Sequence, residues 1–258
     1  LLPATLGDEN QAPRFYPALQ SNNFFHEYNV TRRGDVLLWL NATDPDDNEL
    51  QFGVEGGFYN RLIDIKKVDA THAVVTCNQM FDRESQEKYE NIVFYVRDPP
   101  GNKVYQSVRF VIIDIDDNVP VFKGTPYRVD IAENAPVDAV VFEAIEAVDL
   151  DGPLYNTFSF ALADRNSSFG IDKTNFVSSG HYSTRLVLRE SLDYEKSRSH
   201  IVTVLAVSDQ AQHRSAQLSS TEVVINVIDF PDRKPEFSQS PYYVKIEEEM
   251  PIVSYLFL

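Results

Sequence analysis

The stretch "DIDDNVPVF", residues 114–122, puts three carboxylates within four positions and then returns to an apolar pattern. Carboxylates this close repel one another, by about 1 kcal/mol at 4 Å in water and by more in a less polar setting. A solvated, charged hinge explains one such cluster. Whether that explanation suffices depends on whether the pattern around the stretch recurs in the chain.

The elements around this stretch occur again in the same order. The segment "PYRVDIAENAPV" at 126–137 returns as "PYYVKIEEEMPI" at 241–252, a shift of 115 residues (241 minus 126). "FDRE" at 81–84 matches "LDYE" at 192–195, a shift of 111 residues (192 minus 81). Similar shifts for separate elements indicate tandem structural units.

The domain organisation follows from these shifts. "TDPDD" at 43–47 matches "VDLDG" at 148–152, a shift of 105 residues (148 minus 43), so both full units carry an Asp-x-Asp element. The predicted boundaries are an N-terminal extension or upstream linker at 1–12, full repeats at 13–118 and 119–233, and the start of a truncated third repeat at 234–258.

Composition limits the class of protein. The formal net charge of −16 argues against nucleic acid and anionic membranes as partners, and it suits a protein that collects cations. Cys77 is the only cysteine, so the chain has no internal disulfide framework. No apolar run is long enough to span a bilayer, and no basic segment precedes an apolar one at the start. We therefore expect a processed fragment or an excerpt of a longer protein.

The predicted secondary structure is almost entirely β. Short runs rich in β-branched and aromatic residues alternate with polar turns, and no helical pattern is convincing. The predicted strands are 36–43, 91–98, 104–115, 127–133, 139–149, 184–190, 200–209 and 221–229. Several short strands with regular turns predict antiparallel sandwiches.

The acids recur at fixed places in both full units. Each unit has a Glu after an early strand, an Asp-x-Asp, an Asp-x-Glu, an Asp at a strand end and an acidic exit. A solvated surface has no need for such repetition, whereas Ca²⁺ takes 6–8 oxygen ligands from carboxylates, carbonyls and water. Acids far apart in sequence converge if the ends of two sandwiches meet at a hinge. The repetition therefore predicts Ca²⁺ sites at the hinges.

These elements resemble those of the cadherin superfamily. "DIDDNVPVF" is similar to the cadherin linker D-x-N-D-N-x-P-x-F, with Asp116 in place of the first Asn. "FDRE" and "LDYE" resemble its D-R-E element, and "TDPDD" and "VDLDG" its D-x-D element. The resemblance implies tandem seven-stranded Greek-key β-sandwiches, the immunoglobulin-like cadherin repeats, joined end to end by calcium-binding linkers. "NNFFHEYN" and a degenerate second linker resemble the long, non-classical tip-link and brush-border cadherins, a protocadherin-like group.

The resemblance also implies the ligands of the first junction, with enough oxygens for three calcium ions. The linker provides carbonyls from Ile115 and Asn118. The implied carboxylate ligands are Glu27, Asp82, Glu84, Asp114, Asp116, Asp117, Asp149, Asp151 and Asp209.

The second junction departs from the family pattern. "DFPDRKPEF" has Pro231 and Arg233 where the two linker asparagines stand. Pro231 loses a side-chain oxygen and Arg233 brings a positive charge, so we expect fewer than three calcium ions and a looser hinge. The ligands implied there are Glu133, Asp193, Glu195, Asp229 and Asp232.

A further calcium is implied at the upstream edge. The stretch "GDENQAPRF" keeps only the Pro and Phe of a linker, yet Asp44, Asp46 and Asp98 stand where the family binds calcium. The related non-classical cadherins carry a calcium ion at that free end.

Three glycosylation triplets, at Asn29, Asn41 and Asn166, favour the secretory pathway. Trp39 lies within an apolar strand and is predicted to be in the core. No Trp occurs in the first 38 residues, which argues against adhesion by exchange of an N-terminal strand.

An enzymatic function is not expected. The five histidines show no metal or catalytic spacing. The Asp82/Glu84 pair resembles the acid–base pair of a glycosidase, but its recurrence as Asp193/Glu195 argues against catalysis, because a catalytic pair need not repeat with the domain. Cys77 is predicted to be a strand thiol.

The predicted function is calcium-dependent cell–cell adhesion or mechanical tethering. The expected partner is another cadherin, homophilic or heterophilic, bound through the N-terminal repeats. The expected location is the extracellular side of the plasma membrane, with the membrane anchor outside this chain. The alternative is a receptor ectodomain that binds a soluble ligand on its sandwich faces, with calcium purely structural.

Overall fold

The computed structural model describes residues 10–27, 32–164, 167–209, 218–238, 240–243, 245 and 248. Within these ranges the chain forms two β-sandwiches, each with its own apolar core. The first core contains buried residues from Phe15 to Ile112, and the second contains buried residues from Tyr127 to Val227. In the described part of the chain, no helix is long and apolar enough to cross a membrane.

The first sandwich consists of two four-stranded sheets. One has the order β1-β3-β6-β5 and the other the order β2-β8-β7-β4. The N-terminal segment contributes one short strand to each sheet: β1 pairs with β3 in the first sheet and β2 with β8 in the second. The pairing of β2 with β8 is parallel. The elements are β1 (Arg14–Phe15), β2 (Asn22–His26), β3 (Val36–Thr43), β4 (Gln51–Val54), α1 (Tyr59–Leu62), β5 (Ile63–Lys67), β6 (His72–Cys77), β7 (Lys88–Arg97) and β8 (Lys103–Ile113).

The second sandwich repeats this topology. One sheet has the order β13-β15-β11-β9, with β14 also paired to β15, and the other has the order β10-β17-β16-β12. β10 pairs with β17 in parallel, as β2 does with β8. The strands are β9 (Val121–Lys123), β10 (Tyr127–Ala132), β11 (Val140–Val148), β12 (Phe158–Leu162), β13 (Phe169–Ile171), β14 (Asn175–Ser178), β15 (His181–Leu188), β16 (Ser199–Ser208) and β17 (Leu218–Ile228).

Alternation of apolar side chains sets the inward face of each strand. Along β7, Ile92, Phe94 and Val96 are buried at every second position. Full burial of such a side chain contributes about 1.5–3 kcal/mol relative to exposure. The register of β7 against β8 shifts between Tyr89 and Ile92, where Asn91 has a positive φ of 58°. This bulge restores the inward direction of Ile92 and the residues after it.

The all-β prediction is confirmed, and each of the eight predicted strands overlaps an observed strand. The prediction missed the short strands, such as β1 and β9, because two or three residues carry no readable alternation. It also overlooked the single helical turn α1. The boundaries 13–118, 119–233 and 234–258 remain predictions.

The prediction that Trp39 lies in the core is wrong. Trp39 is 50% exposed, whereas the next residue, Leu40, is fully buried. The apolar run of β3 contains residues of both faces, and Trp39 belongs to the outward one. Cys77, by contrast, is buried at the end of β6, consistent with the predicted strand thiol.

Candidate metal centre

A buried glutamate organises the first junction. Glu27 follows β2 and is fully buried. Its Oε1 accepts a hydrogen bond from the backbone N–H of Ile115 at 2.7 Å, and its Oε2 accepts one from the backbone N–H of Arg83 at 3.0 Å. Glu27 therefore ties the loop that contains Asp82–Glu84 to the linker that follows β8.

This tie gathers acids of the first sandwich. Carboxylate oxygens of Glu27, Glu84 and Asp114 lie within 4.8 Å of one another. Arg83 lies between two of them: its Nε donates to Asp114 Oδ1 at 2.6 Å, and its Nη2 is 3.1 Å from Glu84 Oε1. The guanidinium thus partly neutralises the acids it contacts.

A second group of acids crosses the junction. Carboxylate oxygens of Glu84 in the first sandwich, Asp117 in the linker and Asp151 in the second sandwich lie within 4.8 Å of one another. Asn118 holds Asp151 in place, because its backbone N–H donates to Oδ1 at 3.2 Å and its Nδ2 donates to the same oxygen at 2.7 Å. Three chain segments therefore contribute oxygens to one cluster.

Close backbone approach brings the second sandwich to the linker. The N–H of Gly152 donates to Asp114 Oδ2 at 2.9 Å, and Arg83 Nη2 donates to the carbonyl of Leu150 at 3.0 Å. A Cβ at position 152 would lie 2.6 Å from Asp114 Oδ2, so only glycine fits there without displacing the carboxylate. Asn156 supports the same loop by donating from Nδ2 to the carbonyl of Asp151 at 2.9 Å.

The electrostatics of this cluster favour a cation. Asp149 and Asp151 are 4% and 3% exposed. Burial, followed by repulsion from Asp116 and Asp114, raises the pKa of Asp149 to about 6. Burial and then the charges of Asp149 and Asp114 raise the pKa of Asp151 to about 7, the hydrogen bonds from Asn118 acting in the opposite direction.

Glu84 shows the same perturbation. Burial and the neighbouring charges of Glu27 and Asp114 raise the pKa of Glu84 to about 7, although Arg83 lowers it. Acids that resist ionisation because of burial and like charge are stabilised when a cation neutralises them. The donor set is made of oxygens from three segments, which is the set that Ca²⁺ prefers. The residues therefore fit a calcium site.

Some residues implied by the resemblance lie outside these groups. Asp82 accepts a hydrogen bond from Ser85 Oγ at 2.7 Å, which lowers its pKa, and it belongs to neither group of three acids. Asp209 is exposed and accepts a hydrogen bond from Ser159 Oγ at 2.7 Å. Ile115 and Asn118, expected to offer carbonyls, are tied by their N–H groups to Glu27 and Asp151.

Sequence reasoning missed the residues that position the acids. Arg83, Gly152 and Asn156 were not identified, although Arg83 stands within the D-R-E element itself. Gly152 directly follows the Asp-x-Asp element, and this position next to two predicted ligands is the sequence signal that could have identified it. Asn156 carries no comparable signal.

The second junction begins with the same anchor. Glu133 accepts hydrogen bonds at 2.7 Å from the backbone N–H groups of both Tyr194 and Phe230. Those two bonds lower its pKa. Carboxylate oxygens of Glu133, Glu195 and Asp232 lie within 4.8 Å of one another, whereas Asp229 belongs to no group of three acids in the described chain.

Basic side chains contact the acids of the second junction. Arg233 lies 3.2 Å from Glu195 and 3.5 Å from Asp193. Lys196 lies 3.1 Å from Asp193, and the hydrogen bond from Lys196 is the largest cause of the lowered pKa of Asp193. These acids already have positive partners.

At the upstream edge, backbone and side-chain amide groups donate hydrogen bonds to the acids Asp98 and Asp46. Asp98 accepts hydrogen bonds from the N–H groups of Gly101 and Asn102 at 2.7 Å and from Asn10 Nδ2 at 2.7 Å. Asp46 accepts one from the N–H of Gln11. Asp44 Oδ2 is buried and accepts none. In the described chain these three acids form no convergent group of three.

The predicted glycosylation sites Asn29 and Asn166 lie outside the described residues. Asn41 lies on β3 and is partly buried.

The chain is similar to curated cadherins. It is 35% identical over 222 residues to "Cadherin-related family member 1" of Xenopus laevis, covering 84% of this chain and 24% of that protein. It is 32% identical over 223 residues to "Cadherin-related family member 1a" of Danio rerio, covering 84% of this chain and 25% of that protein. It is 28% identical over 255 residues to Mus musculus "Cadherin-23", covering 97% of this chain and 7% of that protein. The chain thus spans about a quarter or less of these relatives.

Solved structures share the fold. The extracellular cadherin domains 1–5 of Protocadherin Gamma B2 superpose with a TM-score of 0.71 at 22% identity, covering 91% of this chain and 42% of that one. Mouse Cadherin-23 EC22–24 gives a TM-score of 0.68 at 24% identity, covering 90% of this chain and 71% of that one. Human Protocadherin-24 EC1–2 gives 0.64 at 24% identity, covering 86% of this chain and 100% of that one.

No family model matches the chain. The duplicated sandwich, the repeated acidic elements and the similarity to several cadherins agree with one another. The chain belongs to the cadherin superfamily.

Proposed function

We propose that this chain is part of an extracellular adhesion or tether protein in which Ca²⁺ at the first junction fixes two repeats relative to each other. The observation that carries the proposal is the group Glu84, Asp117 and Asp151, whose carboxylate oxygens lie within 4.8 Å. Each member belongs to a different part of the junction. A cation shared by all three opposes bending of the linker.

The residues of the junction have two roles: some would bind the ions, and others orient the linker and the ligands. When bound, calcium supplies the positive charge and the demand for oxygen ligands that these acids satisfy. Glu27 orients the linker through the N–H of Ile115, and Asn118 orients Asp151. The residues that would hold the ions are Glu27, Glu84, Asp114, Asp117 and Asp151, which form the two groups of three acids. Asp149 and Asp116 would join them, because their charges already act on each other.

Adhesion is supported by the relatives, which are cadherins. A location at the cell surface and a second cadherin as partner agree with that similarity. The Asp-x-Glu pairs occur in both repeats, which favours a structural role over catalysis.

The first test is thermal unfolding during a calcium titration. Extracellular calcium modules have dissociation constants of about 10⁻⁴–10⁻³ M, and a tenfold excess over that value adds about 1.4 kcal/mol for each ion bound only by the folded state. We expect the unfolding midpoint to rise with calcium in the native chain. The rise should be lost in the Asp117→Asn, Asp151→Asn double variant.

A matched control removes the same charge elsewhere. Asp64 and Glu143 are exposed acids outside the three-acid groups, and Asp64→Asn with Glu143→Gln should retain the calcium response. A native chain without any response to millimolar calcium would contradict the metal site. An equal loss in both double variants would show that only net charge matters.

Adhesion needs a separate measurement. Sedimentation at micromolar protein, with and without calcium, reports whether the chain self-associates. Calcium-dependent self-association, or capture of a second cadherin, supports adhesion. A chain that stays monomeric and binds only a soluble ligand would favour the receptor alternative, even if calcium stabilises it.

A further inference from the structure

The exposed Trp39 calls for an explanation because it is the only tryptophan of the chain and half of its surface is accessible. It lies on the outward face of β3, opposite Val74 of β6. Single exposed apolar residues are ordinary. Here, however, Trp39 has a chemically distinctive neighbour on the same face.

That neighbour is Asn41, the acceptor of the triplet Asn41-Ala42-Thr43. Side chains two residues apart on a strand point to the same face and are separated by about 6.5–7 Å. The alternation supports this, since Leu40 and Ala42 are buried in the core between and beyond them. Trp39 and Asn41 therefore stand side by side on the outward face of β3.

The side chain of Asn41 is partly enclosed by the protein. Its Oδ1 is buried and accepts no hydrogen bond in the described chain. Because Asn41 as a whole is only partly buried, some of its surface remains open to solvent. Nδ2 is the atom to which an N-linked glycan is attached.

Two further side chains border Asn41. The backbone N–H of Tyr16 donates to the carbonyl of Asn41 at 2.9 Å, and the Tyr16 residue is 67% exposed. On the other side, Asn41 pairs with His72, whose ring is 2.7 Å from Asp69. Tyr16 is thus the cross-strand neighbour of Asn41 on one side of β3, and His72 is its neighbour on the other side.

We propose that Asn41 carries an N-linked glycan whose first sugar packs on the exposed face of Trp39 beside Tyr16. Pyranose rings present C–H groups on their faces, and a large flat indole offers them contact area. The sugar hydroxyl and acetamido groups remain in water at the edge of this contact. The glycan shields this sheet face of the first sandwich, so protein partners bind elsewhere. This inference rests on the extracellular location proposed above, and it is independent of calcium.

The test uses the full chain secreted from eukaryotic cells, with matched variants at Thr43. Thr43→Ser keeps the acceptor triplet and Thr43→Ala destroys it, while both leave Trp39 and Asn41 in place. Glycopeptide mass spectrometry should find Asn41 occupied in the native chain and in Thr43→Ser, and unmodified in Thr43→Ala. An unmodified Asn41 in the folded, secreted native chain would overturn the proposal.

Tryptophan fluorescence measures the contact between the sugar and the indole, because Trp39 is the only tryptophan of the chain. Acrylamide quenching should be about twofold weaker in the glycosylated chain than in Thr43→Ala, since covering one indole face removes about half of the accessible ring. Trimming the glycan to its first sugar should preserve this protection. Equal quenching of the two forms would overturn the contact with Trp39.

Stability gives a readout that does not depend on fluorescence. Glycosylation should raise the unfolding midpoint of the native chain, followed by circular dichroism, and the rise should be smaller in Trp39→Leu. An equal rise with leucine would contradict the packing. A native chain that protects Trp39 only by self-association, without a glycan, would assign this face to a second copy instead.

Discussion

The two junctions of this chain share an anchor and a group of three acids, and they differ in the other charges that lie nearby. Glu27 and Glu133 each bind two backbone N–H groups, one from the Asp-x-Glu loop and one from the linker. At the first junction the anchored loops meet buried acids of the next sandwich. At the second, they meet Arg233, whose side chain is 62% exposed.

This difference teaches that the anchor alone does not define a cation site. Asp149 and Asp151 have raised pKa values because burial and like charge oppose their ionisation. Glu133 and Asp193 have lowered pKa values because N–H donors and basic side chains already stabilise their charge. Among the described residues, a cation therefore relieves charge repulsion at the first junction, whereas Glu133 and Asp193 of the second junction already have stabilising partners.

The largest expected effect comes from removing Arg83. Arg83→Gln leaves the partly buried carboxylates of Asp114 and Glu84 without their cation. The calcium-free chain should lose about 2 kcal/mol of unfolding free energy, a value between those typical of exposed and of buried ion pairs. Calcium should restore most of that loss, because it replaces the missing charge. Urea unfolding in chelator and in saturating calcium measures both quantities.

Arg233→Gln is the matched change at the second junction. Because that side chain is exposed, the expected loss is below about 1 kcal/mol. Equal losses for the two arginine variants would contradict the distinction between the junctions.

A smaller effect is expected from Gly152→Ala. The added Cβ would lie 2.6 Å from Asp114 Oδ2, so the carboxylate must move. That shift should cost about 1 kcal/mol and weaken calcium binding. Gly57→Ala is the control, since a Cβ there meets no atom within 4 Å. Urea unfolding and a calcium titration of both variants measure the effect. If Gly152→Ala binds calcium like the native chain, the close approach of the second sandwich has no role in the site.

A separate prediction is that stability depends on pH in calcium-free buffer, with opposite signs at the two junctions. For Glu84, Asp149 and Asp151 the folded pKa is raised, so their contribution to stability is complete below pH about 4 and is lost as pH rises to about 7. For Glu133 and Asp193 the folded pKa is lowered, so their contribution is present at neutral pH and is lost below pH about 4.

Carboxyl-carbon NMR titration separates these groups residue by residue. Titration of Asp151 near the ordinary value for aspartate, in chelator, would contradict the buried cluster. Saturating calcium should shift its titration to lower pH, because the cation favours the ionised form.

Much of this arrangement could be predicted from the sequence. The strand β3 was located at its observed limits, because its apolar run is bounded by polar turn residues on both sides. The acids of the first cluster were identified because their spacing repeats. Trp39 was misplaced because an apolar run does not reveal which face is inward when both faces carry large side chains.

Other features depend on the folded chain alone. Asp82 and Asp209 follow the family pattern in sequence, yet in the structure hydroxyl groups of Ser85 and Ser159 bind them. Arg83 and Gly152 matter through contacts with segments more than 30 positions away, which no local pattern encodes. The narrower grouping with tip-link and brush-border cadherins remains a prediction.

The parallel pairing of the second and last strands of each sandwich has a mechanical consequence. β2 pairs with β8 over five residue positions, and β10 pairs with β17 over six. A stretching load that enters at the N-terminal end of β2 and leaves at the C-terminal end of β8 pulls the two strands past each other. Such a load acts in shear on all the hydrogen bonds of the ladder at once, whereas a peeling load would break them one at a time. Each sandwich is thus built to resist extension along the chain.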